Sequence, residues 1–229
     1  MVQDLNKFLE NTRDVDKGNE KFELETDHLL QVNLDGMVWI KHGAMVAYTG
    51  DIKFEREKVL EHGLGKALKK AFTGEGAMLT KARGNGRLYL AEAGKNISAF
   101  DLAGGAITVN GNDLLAFDET VKWDVKMMKK LAALASGGLF NVTLQGDGMV
   151  AITTHHDPVT LKVTPEVPVY TDPNATVAWS ADLQPNFKTD VSFRTFIGRS
   201  SGESYQMEFR GNGFVIIQPY EEVYYAGQQ

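Results

Sequence analysis

The chain has 229 residues, with 24 lysines and arginines against 30 aspartates and glutamates, and it contains no cysteine. The lack of cysteine excludes disulfide frameworks, thiolate zinc sites, iron–sulfur clusters and a cysteine nucleophile. A formal net charge of −6 argues against a general nucleic-acid-binding protein, because such proteins draw affinity from an excess of cations facing phosphate.

Targeting signals are not apparent in the sequence. The first thirty residues mix charges throughout and lack the apolar core of a signal peptide. The longest uncharged stretch, 131–146, has sixteen residues and contains several polar side chains. Since a membrane-spanning helix needs about 18–20 predominantly apolar residues, we expect no transmembrane span and a cytoplasmic location. Residues 1–22 are predicted to form an N-terminal extension that is weakly helical or disordered.

Three segments after this extension share one pattern, in which an alternating strand is followed by Gly-x-Gly and a second apolar strand. The segments are Ala77–Gly94, Leu139–His156 and Ser204–Tyr220. Asn-Gly and Asp-Gly favour tight turns with positive φ, so each segment is predicted to be a β-hairpin. The predicted turn glycines are Gly84, Gly86, Gly146, Gly148, Gly211 and Gly213.

A second marker, an alanine followed by an aromatic residue, occurs once before each Gly-x-Gly segment. The three copies are Ala47-Tyr48, Ala116-Phe117 and Ala178-Trp179. Two markers in the same order three times, 62–69 residues apart, predict a threefold internal repeat. The alternative is that a β-rich chain shows such strand patterns at regular intervals without any repeat.

Short stretches with helical periodicity and basic residues lie between the two markers of each unit. The first, with Leu60, Leu64 and Leu68 on one face, ends at Gly74. The cations beside the three apolar faces are Lys66, Lys69, Lys70, Lys126, Lys129, Lys130, Arg194 and Arg199. One interpretation is a patch that meets anionic lipid headgroups, an acidic partner or RNA. The other is a solvated helix face whose lysine stems cover apolar surface.

These elements predict a mainly β fold. Because one repeat cannot bury its own apolar face, we expect the units to close into a pseudo-threefold body, prism-like or barrel-like, with short helices. We predict a single all-β domain over residues 23–223, with repeats at about 23–100, 101–163 and 164–223. Residues 224–229 are predicted to be a C-terminal tail.

The sequence pattern of residues 36–55 resembles that of a known family. Val38-Trp39-Ile40 is followed by a turn and then by Met45-Val46-Ala47-Tyr48, Gly50 and Lys53-Phe54-Glu55. This run, with the Gly74–Ala91 block after it, resembles the mitochondrial-biogenesis family known as altered inheritance of mitochondria twenty-four, over residues 22–220. The resemblance implies tandem copies of a fold similar to the tryptophan RNA-binding attenuator protein, of the double-stranded β-helix type. His42-Gly43-Ala44 departs from the family's usual small residues ending in Gly-Ser.

Residues suited to chemistry are few, and the resemblance brings no catalytic residues. His155, His156 and Asp157 are the candidate metal ligands, because imidazole and carboxylate suit divalent metals. However, adjacent residues of a strand point to opposite faces, which favours a solvated turn over a metal site. The glycine spacings match neither a P-loop nor a dinucleotide fingerprint. We therefore expect no enzymatic activity, no metal and no cofactor.

Two classes of function remain open. The first is a non-enzymatic, self-associating binding or scaffold protein, acting at membranes or on membrane protein complexes, with a homo-oligomeric state and a peripheral membrane or protein partner. The second is a ligand-responsive RNA-binding protein, by analogy with the attenuator fold, although the acidic charge balance disfavours nucleic acid.

Overall fold

The chain is built mainly from β-strands, as predicted. The fold is described from a computed structural model, which describes residues 4–14, 20–56, 79–127, 140–189 and 205–221, together with Val2. Its one helix in these ranges, α1 (Leu5–Thr12), lies in the predicted extension and begins after Asp4, whose carboxylate accepts a hydrogen bond from the Lys7 amide at 3.0 Å. The strands are β1 (Phe22–Thr26), β2 (Leu29–Lys41), β3 (Met45–Arg56), β4 (Leu79–Leu90), β5 (Asn96–Asp101), β6 (Ala106–Asn110), β7 (Leu114–Asp118), β8 (Lys122–Met127), β9 (Phe140–Gln145), β10 (Met149–Thr154), β11 (Val159–Val163), β12 (Val169–Thr171), β13 (Thr176–Ser180), β14 (Asn186–Thr189), β15 (Tyr205–Phe209) and β16 (Gly213–Ile217).

The strands form three antiparallel sheets. The largest has the order β3-β4-β2-β7-β10-β5, with β1 also paired to β2. A six-stranded sheet has the order β11-β16-β13-β6-β9-β8, and a three-stranded sheet has the order β12-β15-β14. Strands from distant parts of the sequence therefore lie side by side in every sheet.

The Gly-x-Gly motifs either connect strands of different sheets or lie within one continuous strand, so the hairpin prediction is wrong. At Gly146–Gly148 the chain passes from β9, which pairs with β6 and β8, to β10, which pairs with β5 and β7. The chain passes between sheets in the same way from β15 to β16. Around Gly84 and Gly86, β4 is a single continuous strand of 12 residues. A tight turn would pair its two flanking strands with each other, whereas here the segments on the two sides of each motif pair with other strands.

Glycine is nevertheless required at most of these positions. Five of the six motif glycines have positive φ, as predicted, and Gly213 does not. A Cβ on Gly86 would lie 1.9 Å from the carbonyl oxygen of Thr49 in β3, because the backbones of the paired strands β3 and β4 approach closely here. The glycines therefore supply backbone conformations that other residues rarely adopt and, at Gly84 and Gly86, allow close backbone contact.

The core has three hydrophobic clusters, each spanning several strands. The first centres on fully buried leucines such as Leu30 and Leu88, where β2 pairs with β4. The second contains Trp39 stacked on Phe117, with ring centroids 6.0 Å apart. The third joins Trp179 to Phe209, with centroids 5.5 Å apart. Burial of the apolar side chains in these clusters supplies most of the driving force for folding.

Over the described residues the three sheets do not close into a barrel, since each has two end strands. The barrel-like closure expected from the sequence is therefore not seen there. The prism-like, pseudo-threefold and attenuator-like details stay predictions, as do the repeat and domain boundaries. The three predicted helical stretches fall at 57–78, 128–139 and 190–204, outside the described residues.

Candidate interaction surface

An exposed apolar strand edge is formed by the first half of β3. The exposed fractions of Met45, Val46 and Tyr48 are 39%, 56% and 47%. The Tyr48 ring packs edge-on against Phe54, with centroids 5.4 Å apart. Within the described residues β3 pairs with β4 alone, so the other edge of β3 presents unpaired backbone groups beside these side chains. We call residues 45–49 the β3 edge.

A second exposed edge is formed by β12 and the residues before it. The exposed fractions of Val167 and Tyr170 are 62% and 45%. In the part of the chain that the structure describes, β12 pairs with β15 and has no strand on its other side. We call residues 167–171 the β12 edge.

The position of Tyr170 is set by an ionic cluster on the same three-stranded sheet. Its hydroxyl donates to Glu208 Oε1 at 2.8 Å. The same oxygen accepts from Lys188 Nζ at 2.9 Å and from Arg210 Nε at 2.8 Å. The Lys188 ammonium also lies 5.2 Å from the centre of the Tyr170 ring, within the range of a cation–π contact. The tyrosine is thus held in one orientation at the edge of the sheet.

These hydrogen bonds fix the charge state of Glu208. The bond from Lys188, followed by those from Arg210 and Tyr170, lowers the pKa of Glu208 from its ordinary 4.5 to about 2. The bonds to Glu208 raise the pKa values of Lys188 and Arg210. A carboxylate with a pKa near 2 is a weak base and gives up its proton far below neutral pH, so it is a poor general base or acid, because a catalytic group needs a pKa near the operating pH. The cluster is therefore suited to orienting Tyr170 and not to proton transfer.

A buried ionic group joins the strands of the large sheet. Lys95 Nζ lies 3.2 Å from Asp113 Oδ1, and the side chains are only 6% and 1% exposed. Nearby, Glu92 forms an ion pair with Lys41 and accepts a hydrogen bond from the Thr153 hydroxyl at 3.0 Å. In each of these pairs, the opposite charges compensate each other inside the protein. Sequence reasoning missed both this group and the Glu208 cluster, because their bonded partners lie up to 61 residues apart and form no local motif.

The candidate metal ligands do not form a site in the structure. The His155 ring packs on the Tyr220 ring, with centroids 4.0 Å apart. The Asp157 carboxylate accepts a hydrogen bond from the Asn96 amide at 3.2 Å, and His156 has a positive φ of 64°. Among the described residues, no group of three or more histidine, aspartate or glutamate side chains is placed to hold a metal ion.

The predicted basic patch falls almost entirely outside the described residues, where Lys66, Lys69, Lys70, Lys129, Lys130, Arg194 and Arg199 lie. Lys126 is the exception. Its backbone belongs to β8, opposite Asn141 of β9, so its assignment to a helix is wrong. The strand alternation that begins at Lys122 simply continues to Met127 because β9 pairs with β8 along its whole length. In the described ranges, no helix is long and apolar enough to cross a membrane.

Comparisons with known proteins give one family and one fold. The model of the family described as mitochondrial biogenesis AIM24 matches residues 22–220. A crystal structure of a Streptococcus pyogenes protein is similar to this chain with a TM-score of 0.67 and 24% sequence identity, covering 87% of this chain and 92% of that one. At this identity the structural similarity shows the fold alone. A search of curated proteins finds no match to this chain.

Proposed function

Because the chain belongs to the mitochondrial biogenesis AIM24 family, we propose that it is a non-enzymatic binding protein that self-associates into a scaffold, acting at membranes or on membrane protein complexes. Family membership confirms the resemblance inferred from residues 36–55 and relates the chain broadly to mitochondrial biogenesis. Self-association and action at membranes are the specific content of the proposal.

The observation that carries the proposal is the β3 edge. Met45, Val46 and Tyr48 expose large apolar side chains along a strand whose backbone groups on that side are unpaired among the described residues. Proteins usually protect such edges with charge or a covering segment, because an open apolar edge pairs with other chains. Residues 45–50 contain no charged side chain. An edge of this kind supports association with another protein chain.

Three of the carboxylates described above have contacts that suit a structural role. Glu208 is held ionised by three donors. Asp113 is paired with Lys95 and buried, and Asp157 is bonded to Asn96. Each of these carboxylates makes a contact within the fold, which is the expected state of a structural carboxylate.

Light scattering coupled to size-exclusion chromatography tests the proposal. We expect a mass that is a multiple of the 25.3 kDa chain and that falls on dilution. A mass of a single chain at all protein concentrations would contradict self-association.

Action at membranes needs a separate experiment. We expect binding to anionic vesicles, weakened when the salt concentration is raised and reduced in the Lys69→Ala, Lys129→Ala double variant. Neutral vesicles are the control. Salt-sensitive RNA binding that is lost in the same double variant would instead favour the alternative function, a ligand-responsive RNA-binding protein.

A further inference from the structure

Two pairings between distant strands of the chain have the same register. β2 pairs with β7 over three residue pairs, and β6 pairs with β13 over three residue pairs. The first set is Val38↔Asp118, Trp39↔Phe117 and Ile40↔Ala116. The second set is Ile107↔Ser180, Thr108↔Trp179 and Val109↔Ala178. Adding 69 to the residue numbers of β2 gives the paired residues of β6, and adding 62 to those of β7 gives the paired residues of β13. The same interface therefore occurs twice.

The strands that flank this interface show which strand is the third equivalent of β2 and β6. Val38 of β2 lies opposite Ala82, Ile107 of β6 lies opposite Leu144, and Val169 of β12 lies opposite Phe209. The three opposing residues precede the first glycine of their Gly-x-Gly motif by two residues each. β12 is therefore the counterpart of β2 and β6.

β3 is in the same way the counterpart of β7 and β13. Each of these strands has a register shift that leaves one extra residue immediately before an alanine. The alanines are Ala47, Ala116 and Ala178. The interface that occurs twice would thus occur a third time if β12 met β3.

Burial shows that the partner of β3 is missing from the described chain. The bulge residues Leu115 and Val177 are 0% exposed, whereas Val46 is 56% exposed. The aromatic residues Phe117 and Trp179 are 0% and 3% exposed, whereas Tyr48 is 47% exposed. Equivalent positions are covered where a neighbouring strand is present and open where it is absent.

Both open edges are suited to pairing with each other. Residues 45–50 and 167–171 contain no charged side chain. Three other end strands, β8, β11 and β14, carry a lysine that discourages pairing with a further strand, namely Lys122, Lys162 and Lys188, whereas the charged residues of β3 all lie beyond residue 50. Pro168, which has no amide to donate, lies outside the three equivalent positions of β12 and so removes no hydrogen bond from them.

We propose that the β12 edge of one protomer pairs antiparallel with the β3 edge of a second copy, with Val169 opposite Thr49, Tyr170 opposite Tyr48 and Thr171 opposite Ala47. This inference rests on the proposed self-association and names its surface. The contact is head-to-tail, since a different surface of each copy takes part. The two tyrosines form a cross-strand aromatic pair at its centre, with Tyr170 held in place by Glu208.

Engineered cysteines test the register directly, because the chain has none of its own. Opposed residues of antiparallel strands have Cα atoms about 4.5–5.5 Å apart, within the range that a disulfide bridges. The Tyr48→Cys and Tyr170→Cys variants are purified separately, mixed and oxidised, and the mixture is analysed on a non-reducing gel. Thr49→Cys mixed with Val169→Cys is a second pair in register. Thr49→Cys mixed with Val167→Cys is the control out of register by two residues, and Val167 is 62% exposed.

We expect both in-register mixtures to form a disulfide-linked dimer at least about tenfold faster than the control mixture, because pairing raises the local thiol concentration. Three results would overturn the pairing: equal rates in all mixtures, rapid dimer formation by Tyr48→Cys alone, or an intrachain disulfide in a Tyr48→Cys, Tyr170→Cys chain that remains a monomer. If light scattering shows an oligomer while the in-register mixtures do not cross-link preferentially, the surface is wrong and self-association stands. A single-chain mass for the wild-type protein contradicts both.

Discussion

Gly84 in β4 lies so close to Asp51 in β3 that a Cβ added to the glycine would stand 1.9 Å from the aspartate carbonyl oxygen. The obstacle is backbone, which cannot move aside without separating the two strands. Gly84 also has a φ of 140°, a conformation that other residues rarely adopt.

We therefore expect Gly84→Ala to lower the free energy of unfolding by about 3 kcal/mol or more. At the size of this chain the melting temperature should fall by roughly 6–12 °C, measured by circular dichroism. Gly94→Ala is the matched control, since Gly94 has a φ of 70° but nothing within 4 Å of an added Cβ. An equal loss of unfolding free energy in the two variants would show that the positive φ, and not the close approach of β3, causes the destabilisation.

Gly148→Val should lower the free energy of unfolding, because the role of Gly148 is structural. Its Cβ would lie 2.7 Å from the Thr120 hydroxyl oxygen and 3.0 Å from a methyl group of Val121. Gly146→Val is the comparison, because Gly146 also has positive φ but open space around an added Cβ. We expect the Gly148 variant to melt at a lower temperature than the Gly146 variant. An unchanged melting temperature for Gly148→Val would contradict the structural role of this motif.

Asp113→Asn should destabilise the protein because it leaves the charge of Lys95 buried without its carboxylate. Both side chains are almost fully buried, and removing one member of such a pair costs about 3–5 kcal/mol. Chemical denaturation measures this loss. Asp14→Asn is the control, since Asp14 pairs with Arg87 at an exposed site and its loss should cost less than about 1 kcal/mol. Similar small effects in both variants would mean that the buried pair is already compensated by other groups.

The stability supplied by Glu208 should depend on pH. Its pKa is lowered in the folded protein from 4.5 to about 2, chiefly by the hydrogen bond from Lys188. A lowered pKa adds stability that is fully present above pH 4.5 and is lost as the pH falls towards 2. We expect Glu208→Gln to melt below the wild type at pH 7 and the difference to shrink between pH 4.5 and pH 2. A difference that is constant over this window would show that the charge of Glu208 contributes nothing.

Tyr48→Lys should weaken self-association and leave the fold intact. The substitution places a charge on an exposed edge, where it discourages pairing with another strand. We expect a smaller mass by light scattering at a given concentration, and a melting temperature of the diluted single chain that falls by only about 1–6 °C because the ring contact with Phe54 is lost. Val159→Lys is the matched control, because Val159 is 53% exposed on a different end strand, β11. If both variants reduce the mass equally, the effect comes from surface charge in general.

The position and character of many strands could be predicted from the sequence, because alternation of apolar residues is a local property. The segments around Ala47, Ala116 and Ala178 all lie in strands, β3, β7 and β13, as their patterns indicate. The positive φ of Gly84 and Gly148 was likewise predictable, since few residues other than glycine adopt it. The same local reasoning failed for the hairpins, because the pattern around Gly-x-Gly does not say which strand will lie beside each arm.

Only the tertiary structure decides that Phe117 is buried while Tyr48, in the same kind of segment, is exposed. The difference comes from β2, which covers β7 and has no counterpart over β3 in the described chain. Hydrogen bonds between strands join backbone groups that every residue carries, so neighbouring residues do not encode which distant strand is the partner. The Glu208 cluster has the same origin, since Tyr170 and Lys188 reach its carboxylate only after β12 and β14 have paired with β15.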